Sequence, residues 1–77
     1  MRRFSCWVAG IGESFVSEPR EVFARSFESA AADAVGGFRR ADVLVTVTSL
    51  QNGGVRRYVA DVSSRPARLH CVAERPS

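Results

Sequence analysis

A chain of 77 residues has room for one domain, and 45% hydrophobic with 25% charged residues is the balance of a globular protein, not of a disordered one. The eleven basic side chains are all arginine, and eight carboxylates hold the net charge to +3, which excludes the dense positive field of a histone-like protein. The arginines include three doublets, Arg2-Arg3, Arg39-Arg40 and Arg56-Arg57. The guanidinium is a planar five-donor fork suited to carboxylate, phosphate and aromatic partners. A GC-rich codon bias is the simpler source of the missing lysine.

In chain order, Arg3 to Ile11 alternates as a strand, with Phe4, Cys6 and Val8 on one face and Ser5, Trp7 and Ala9 on the other. Gly10, Gly12, Glu13 and Ser14 make a turn, and Pro19 cannot join a regular ladder. Glu21 to Arg25 is a second short strand. Ser26 is an N-cap, and Phe27, Ala30, Ala31, Ala34 and Val35 form one apolar stripe at helical spacing. Glu28 sits in the first turn, where the helix dipole favours an anion. Gly36-Gly37 predicts the end of the helix.

Asp42 to Leu50 and Val55 to Val62 read as two strands joined at Asn52-Gly53, a type I′ pair. A two-residue loop there sets Leu50 opposite Val55, Thr48 opposite Arg57, Val47 opposite Tyr58, Val45 opposite Ala60 and Val43 opposite Val62. Ser63 to Pro66 form a turn, Ala67 to Ala73 a last strand, and Glu74 to Ser77 a frayed tail. The order β-β-α-β-β-β predicts an α+β domain over residues 1–77: a single antiparallel sheet of four to five strands with one short helix packed on one face.

One short helix covers one sheet face and leaves the other open, as antiparallel sheets allow. The open face is expected to carry Leu44, Thr46, Thr48, Arg57, Val59 and Asp61, with Trp7 and Arg3 beside them and Arg68 and His70 from the last strand. The facing of Arg25 is left open by its strand. Candidate partner-binding residues are therefore Arg3, Trp7, Arg25, Arg39, Arg40, Arg56, Arg57, Arg68 and His70. Arginine and tryptophan are common hot spots of protein interfaces, and they also hold single-stranded nucleic acid by stacking and phosphate contacts. An aromatic run of the RRM type is absent.

The sequence argues against an enzyme. His70 is the sole histidine, and Cys71 beside it in a strand points to the opposite face. Gly10-Ile11-Gly12 does not continue into a dinucleotide-binding loop, and no carboxylate pair or metal cluster has a recognisable spacing. No catalytic residue, cofactor or metal is expected. Cys6 and Cys71 make no CxxC motif and are read as free thiols, pairing only if the first and last strands are neighbours. The apolar stretch after Arg3 is too short for a leader or a membrane span, which predicts a cytoplasmic protein.

In layout the chain resembles the small anti-CRISPR proteins of phages and mobile elements. The residues that carry the resemblance run from Val22 through Phe23, Ala24, Arg25, Ser26 and Phe27 into the alanine-rich helix ending at Ala34, followed by the hairpin from Val43 to Val62. The resemblance implies a non-enzymatic inhibitor that docks through its arginine-rich surface on an acidic protein surface, that of a CRISPR effector subunit, and blocks nucleic-acid binding by that complex. The alternative is a small nucleic-acid-binding module using the basic and aromatic sheet face. A third reading is an assembly protein working by strand-edge pairing. A monomer or weak dimer is expected.

Overall fold

The computed structural model describes residues 1–12, 15–38, 42–64 and 67–76. Within these residues five strands and one helix follow in the order β1 (Arg2–Gly10), β2 (Arg20–Ala24), α1 (Phe27–Val35), β3 (Asp42–Ser49), β4 (Val55–Asp61) and β5 (Arg68–Arg75). The strands form one antiparallel sheet ordered β2-β1-β3-β4-β5, with α1 on one face, the α+β layout expected from the sequence.

The apolar alternation decides which face meets the helix. Phe4, Cys6 and Val8 of β1 lie beside Val43, Val45 and Val47 of β3, and all six are at most 2% exposed. Tyr58 and Ala60 extend this layer on β4, and Val22 and Ala24 on β2. From α1 the layer receives Ala30, Ala31, Ala34 and Val35. Small helix residues let the helix axis lie close to the sheet, while Phe27 fills one end against Phe4 at a ring separation of 5.1 Å. Ser26 caps the helix, its hydroxyl accepting from the Ser29 N–H at 3.1 Å. The helix stops at Gly36 as expected, but Gly36 remains right-handed at φ −60°, and its N–H donates to the Asp33 carbonyl at 3.3 Å.

Pro19 has the effect its missing N–H requires. The β1–β2 ladder ends at Cys6↔Arg20, and pairing resumes only at an isolated bridge between Ala9 and Val16. In the gap the Ser17 hydroxyl accepts the Val8 N–H at 2.8 Å, while the Ser17 N–H donates to the Val8 carbonyl at 2.7 Å. Beyond the bridge, the Phe15 ring meets Phe38 edge-on at 5.7 Å and ties this connection to the segment after the helix. Part of the expected turn, Glu13 and Ser14, lies outside the described residues, as do Arg65 and Pro66 of the second turn.

The β3–β4 hairpin corrects the expected register. Val45 stands opposite Tyr58, Thr46 opposite Arg57 and Thr48 opposite Val55, two residues away from the pairing that a two-residue loop predicts. The loop instead spans four residues between the paired Ser49 and Gly54. A type I′ turn needs positive φ at both central positions, and here only Gly53 has it, at +79°. Asn52 uses its side chain to accept the Gly54 N–H at 2.9 Å, and the Gly53 N–H closes on the Ser49 carbonyl at 2.8 Å. A slip of two residues keeps every side chain on its face, so the inward and outward sets stay as expected.

The last strand also runs further than expected. Glu74 and Arg75 continue β5 opposite Arg56 and Val55, with a bulge where the register shifts between Arg57 and Tyr58. An ion pair from Arg56 Nε to Glu74 Oε2, at 3.3 Å, holds the extension. Three strand spacings, about 14 Å, separate β1 from β5, and both cysteines are free, Cys6 buried and Cys71 exposed.

Candidate functional site

Among the described residues, the face of the sheet opposite α1 has no secondary-structure element packed on it. Alternation and register lay its side chains in rows across the strands. One row runs Glu21, Ser5, Thr48, Val55 and Arg75; the next Trp7, Thr46, Arg57 and Ala73; the third Val16, Ala9, Leu44, Val59 and His70. Asp42, Asp61 and Arg68 close one end, and Arg3 with Phe23 the other. In the middle of the face Trp7, Ala9, Leu44, Val55 and Val59 are half-buried beside Thr46 and the exposed Arg57, and the other charged groups stand around them. An apolar centre within a polar rim is the anatomy of a protein-binding patch.

The arginines fall into two groups. Some are consumed by the chain itself. Arg3 holds Glu21 through two parallel bonds, Nε to Oε1 and Nη2 to Oε2, each 3.0 Å. The Arg3 hydrogen bond holds the Glu21 carboxyl below its ordinary value, against the opposing effect of burial. Arg2 lies over the rings of Phe4 and Phe27. Arg56 lies on the helix side of the sheet, its guanidinium 4.6 Å from the centre of the Phe27 ring, 3.6 Å from Glu28 and 3.3 Å from Glu74. Glu28 also accepts the Tyr58 hydroxyl at 3.3 Å, and burial pushes the Tyr58 phenol upward. Arg56 is thus a clamp between α1, β4 and β5, away from the other candidate residues.

Arg25, Arg57 and Arg75 have no ion-pair partner among the described residues. Arg57 is exposed in the second strand from the edge, on the row of Trp7. Arg68 stands opposite Asp61, whose carboxyl is held low mainly by the hydroxyl and N–H of Ser63, with Arg68 adding attraction. His70 is exposed beside Val59. The sheet therefore brings together Arg3, Trp7, Arg57, Arg68 and His70 on one face, and it leaves Arg56 on the other. Arg25 follows β2 at its free edge. Arg39 and Arg40 lie outside the described residues.

Three features of this face were missed in the sequence. Phe23 is 60% exposed beside Arg3, although it looks like core material in a short apolar strand. Its parity was fixed only once Val22 and Ala24 turned inward. Arg75 was assigned to the tail and not to a strand. Thr46, expected in the open, is 4% exposed between Trp7 and Arg57, and its hydroxyl has no hydrogen-bond partner among the described residues.

Cys71 and His70 face opposite sides of β5, and Cys6 lies in the core with its thiol pushed up to about 11, chiefly by burial. Among the described residues no three His, Cys, Asp or Glu side chains stand close enough to hold a metal ion, and no helix is long and apolar enough to cross a membrane. Comparison of the chain with known protein families, curated proteins and solved structures finds no match.

Proposed function

We propose that this chain is a non-enzymatic binding protein whose uncovered sheet face docks on a protein partner. The observation that carries the reading is Arg57: an exposed arginine without a carboxylate of its own, set in the row of Trp7 at the middle of an apolar face. Such a group is complementary to a carboxylate on another surface, and a surrounding apolar patch desolvates the contact.

The charge pattern favours protein over nucleic acid. Across the paired strands the face carries Arg3, Arg57, Arg68 and Arg75 against Glu21, Asp42 and Asp61. Phosphate backbones select a surface of one sign, whereas mixed charge around an apolar centre suits a protein rim. In its specific form the proposal follows the resemblance in layout: an inhibitor of the anti-CRISPR type that occupies an acidic surface of an effector subunit in the host cytoplasm and blocks target binding there.

Capture of the tagged protein from lysates of a host with CRISPR effectors, with and without nuclease, tests this. The proposal predicts stoichiometric recovery of an effector subunit that survives nuclease. Recovery of nucleic acid alone, or loss of every partner after nuclease, moves the function to the nucleic-acid module.

A further inference from the structure

Among the described residues the sheet has two free edges, and they differ in what they offer. The Leu50 N–H donates to the Arg3 carbonyl at 3.0 Å, so Arg3 turns its peptide groups toward β3. The Ser17 N–H donates to the Val8 carbonyl at 2.7 Å, so Val8 turns toward the β2 side. Alternation along an antiparallel pair then directs Arg20, Val22 and Ala24 of β2 toward β1, and it directs the N–H and C=O of Glu21 and Phe23 outward. At the other edge the β5 ladder is interrupted by its bulge, a device that blocks continued pairing.

The outward positions within β2 are Glu21 and Phe23, and Arg25 follows the strand's last residue, Ala24, at a bend; in charge and spacing Glu21, Phe23 and Arg25 form a self-complementary set. Place a second copy of β2 antiparallel, with Phe23 opposite Phe23. Glu21 of each copy, which Arg3 of its own chain already holds, then stands opposite Arg25 of the other and can share its carboxylate with it, twice by symmetry, and Val22 stands opposite Ala24. The groups that meet are the same outward-directed ones, so the hydrogen-bonding phase and the charge pairing select one register. Arg25 has no ion-pair partner in its own chain among the described residues, and Phe23 is 60% exposed. Along the same edge a groove of about 460 Å³ runs between β2 and α1, lined by Met1, Phe23, Ala24, Arg25, Ser29 and Ala32 among others. The small exposed Ser29 and Ala32 leave room there for the helix-side residues of an added strand.

We propose that the chain forms a symmetric homodimer through β2, joining two five-stranded sheets into one continuous sheet. The open faces of both copies then lie on one side, with the paired Phe23 rings at the symmetry axis. The paired segment is short, so the dimer is weak and depends on concentration. This inference stands apart from the choice of binding partner, because the purified chain alone tests it.

The experiment is sedimentation of the purified protein over a wide concentration range, with far-UV circular dichroism as the check on folding. The wild type is expected to move from the 8.4 kDa chain mass toward twice that value as concentration rises. Arg25→Glu sets Glu21 against a carboxylate and abolishes the shift. Glu21→Arg sets two arginines together and does the same. An equimolar mixture of the two folded variants restores both opposed pairs and recovers the dimer as a heterodimer. A wild type that stays at chain mass at the highest concentration overturns the proposal. So does an Arg25→Glu protein that dimerises like wild type, or a mixture of folded variants that stays monomeric.

Discussion

Thr46→Val tests the packing of the open face through a single atom. Thr46 is 4% exposed in the central strand, between Trp7 and Arg57, and its Oγ1 has no hydrogen-bond partner among the described residues. A hydroxyl taken out of water without a hydrogen bond costs about 1–3 kcal/mol. Valine keeps the branched shape that strands favour and puts a methyl where the hydroxyl was. Taking the lower part of that range, the substitution stabilises the fold by about 1–2 kcal/mol. In a domain of this size that raises Tm by roughly 5–10 °C. Thermal and urea unfolding, followed by circular dichroism and by the fluorescence of Trp7 in the neighbouring strand, reads the change. Thr48→Val is the control, because Thr48 is only half-buried on the same face. It should move stability by no more than about 0.5 kcal/mol. A Thr46→Val protein that melts at or below the wild-type temperature refutes the reasoning: the hydroxyl is then satisfied in solution, and water reaches the space between Trp7 and Arg57.

Three further substitutions or reactions probe other joints of the structure. Ser17→Ala removes the acceptor of the Val8 N–H beside the Pro19 interruption and is expected to cost about 1–2 kcal/mol in urea unfolding; an unchanged midpoint means the peptide group finds another partner. In the native protein one thiol per chain, Cys71, should react rapidly with a disulfide reagent, and Cys6, buried and pushed up to about 11, should react only on unfolding; two fast equivalents contradict the placement of Cys6. The Glu21 carboxyl is held low by Arg3, so their pairing supports the fold above the unfolded-state value of about 4.3 and is lost as pH falls through the lower folded value. Arg3→Ala should therefore be less stable than wild type at neutral pH and converge with it in acid, and unfolding curves that stay apart at about pH 2 contradict the pairing.

Element order was legible because the signals were local and agreed with one another. The Ser26 cap, the apolar stripe from Phe27 to Val35 and the glycines after it define one helix. The alternation in Phe4-Cys6-Val8 and Val43-Val45-Val47 defines the inward face. The hairpin register was not legible, because Asn52-Gly53 fits more than one loop, and the choice depends on which residues take positive φ. Facing survived that error because the slip was even. Residues at the ends of strands were the hardest. Arg75 joins β5 by pairing with Val55 next to the Arg56–Glu74 ion pair, contacts between residues far apart in sequence. Arg56 itself sits on the helix side by simple alternation, yet its capture by Phe27, Glu28 and Glu74 depends on how α1 crosses the sheet. The pairing of Arg3 with Glu21 depends likewise on β2 folding back beside β1.

The claim that the uncovered face is the docking surface is tested most directly by comparing two variants in capture of the partner. Arg57→Glu reverses an exposed charge in the middle of that face, and Gly37→Glu puts the same side chain into open space just after the helix, away from both the open face and the β2 edge. Both should remain folded. The account predicts that Arg57→Glu weakens recovery of the nuclease-resistant partner by roughly tenfold or more, as loss of an interface hot spot does, while Gly37→Glu leaves it unchanged. Full recovery with Arg57→Glu and loss with Gly37→Glu would place the docking surface on the helix side and contradict the account.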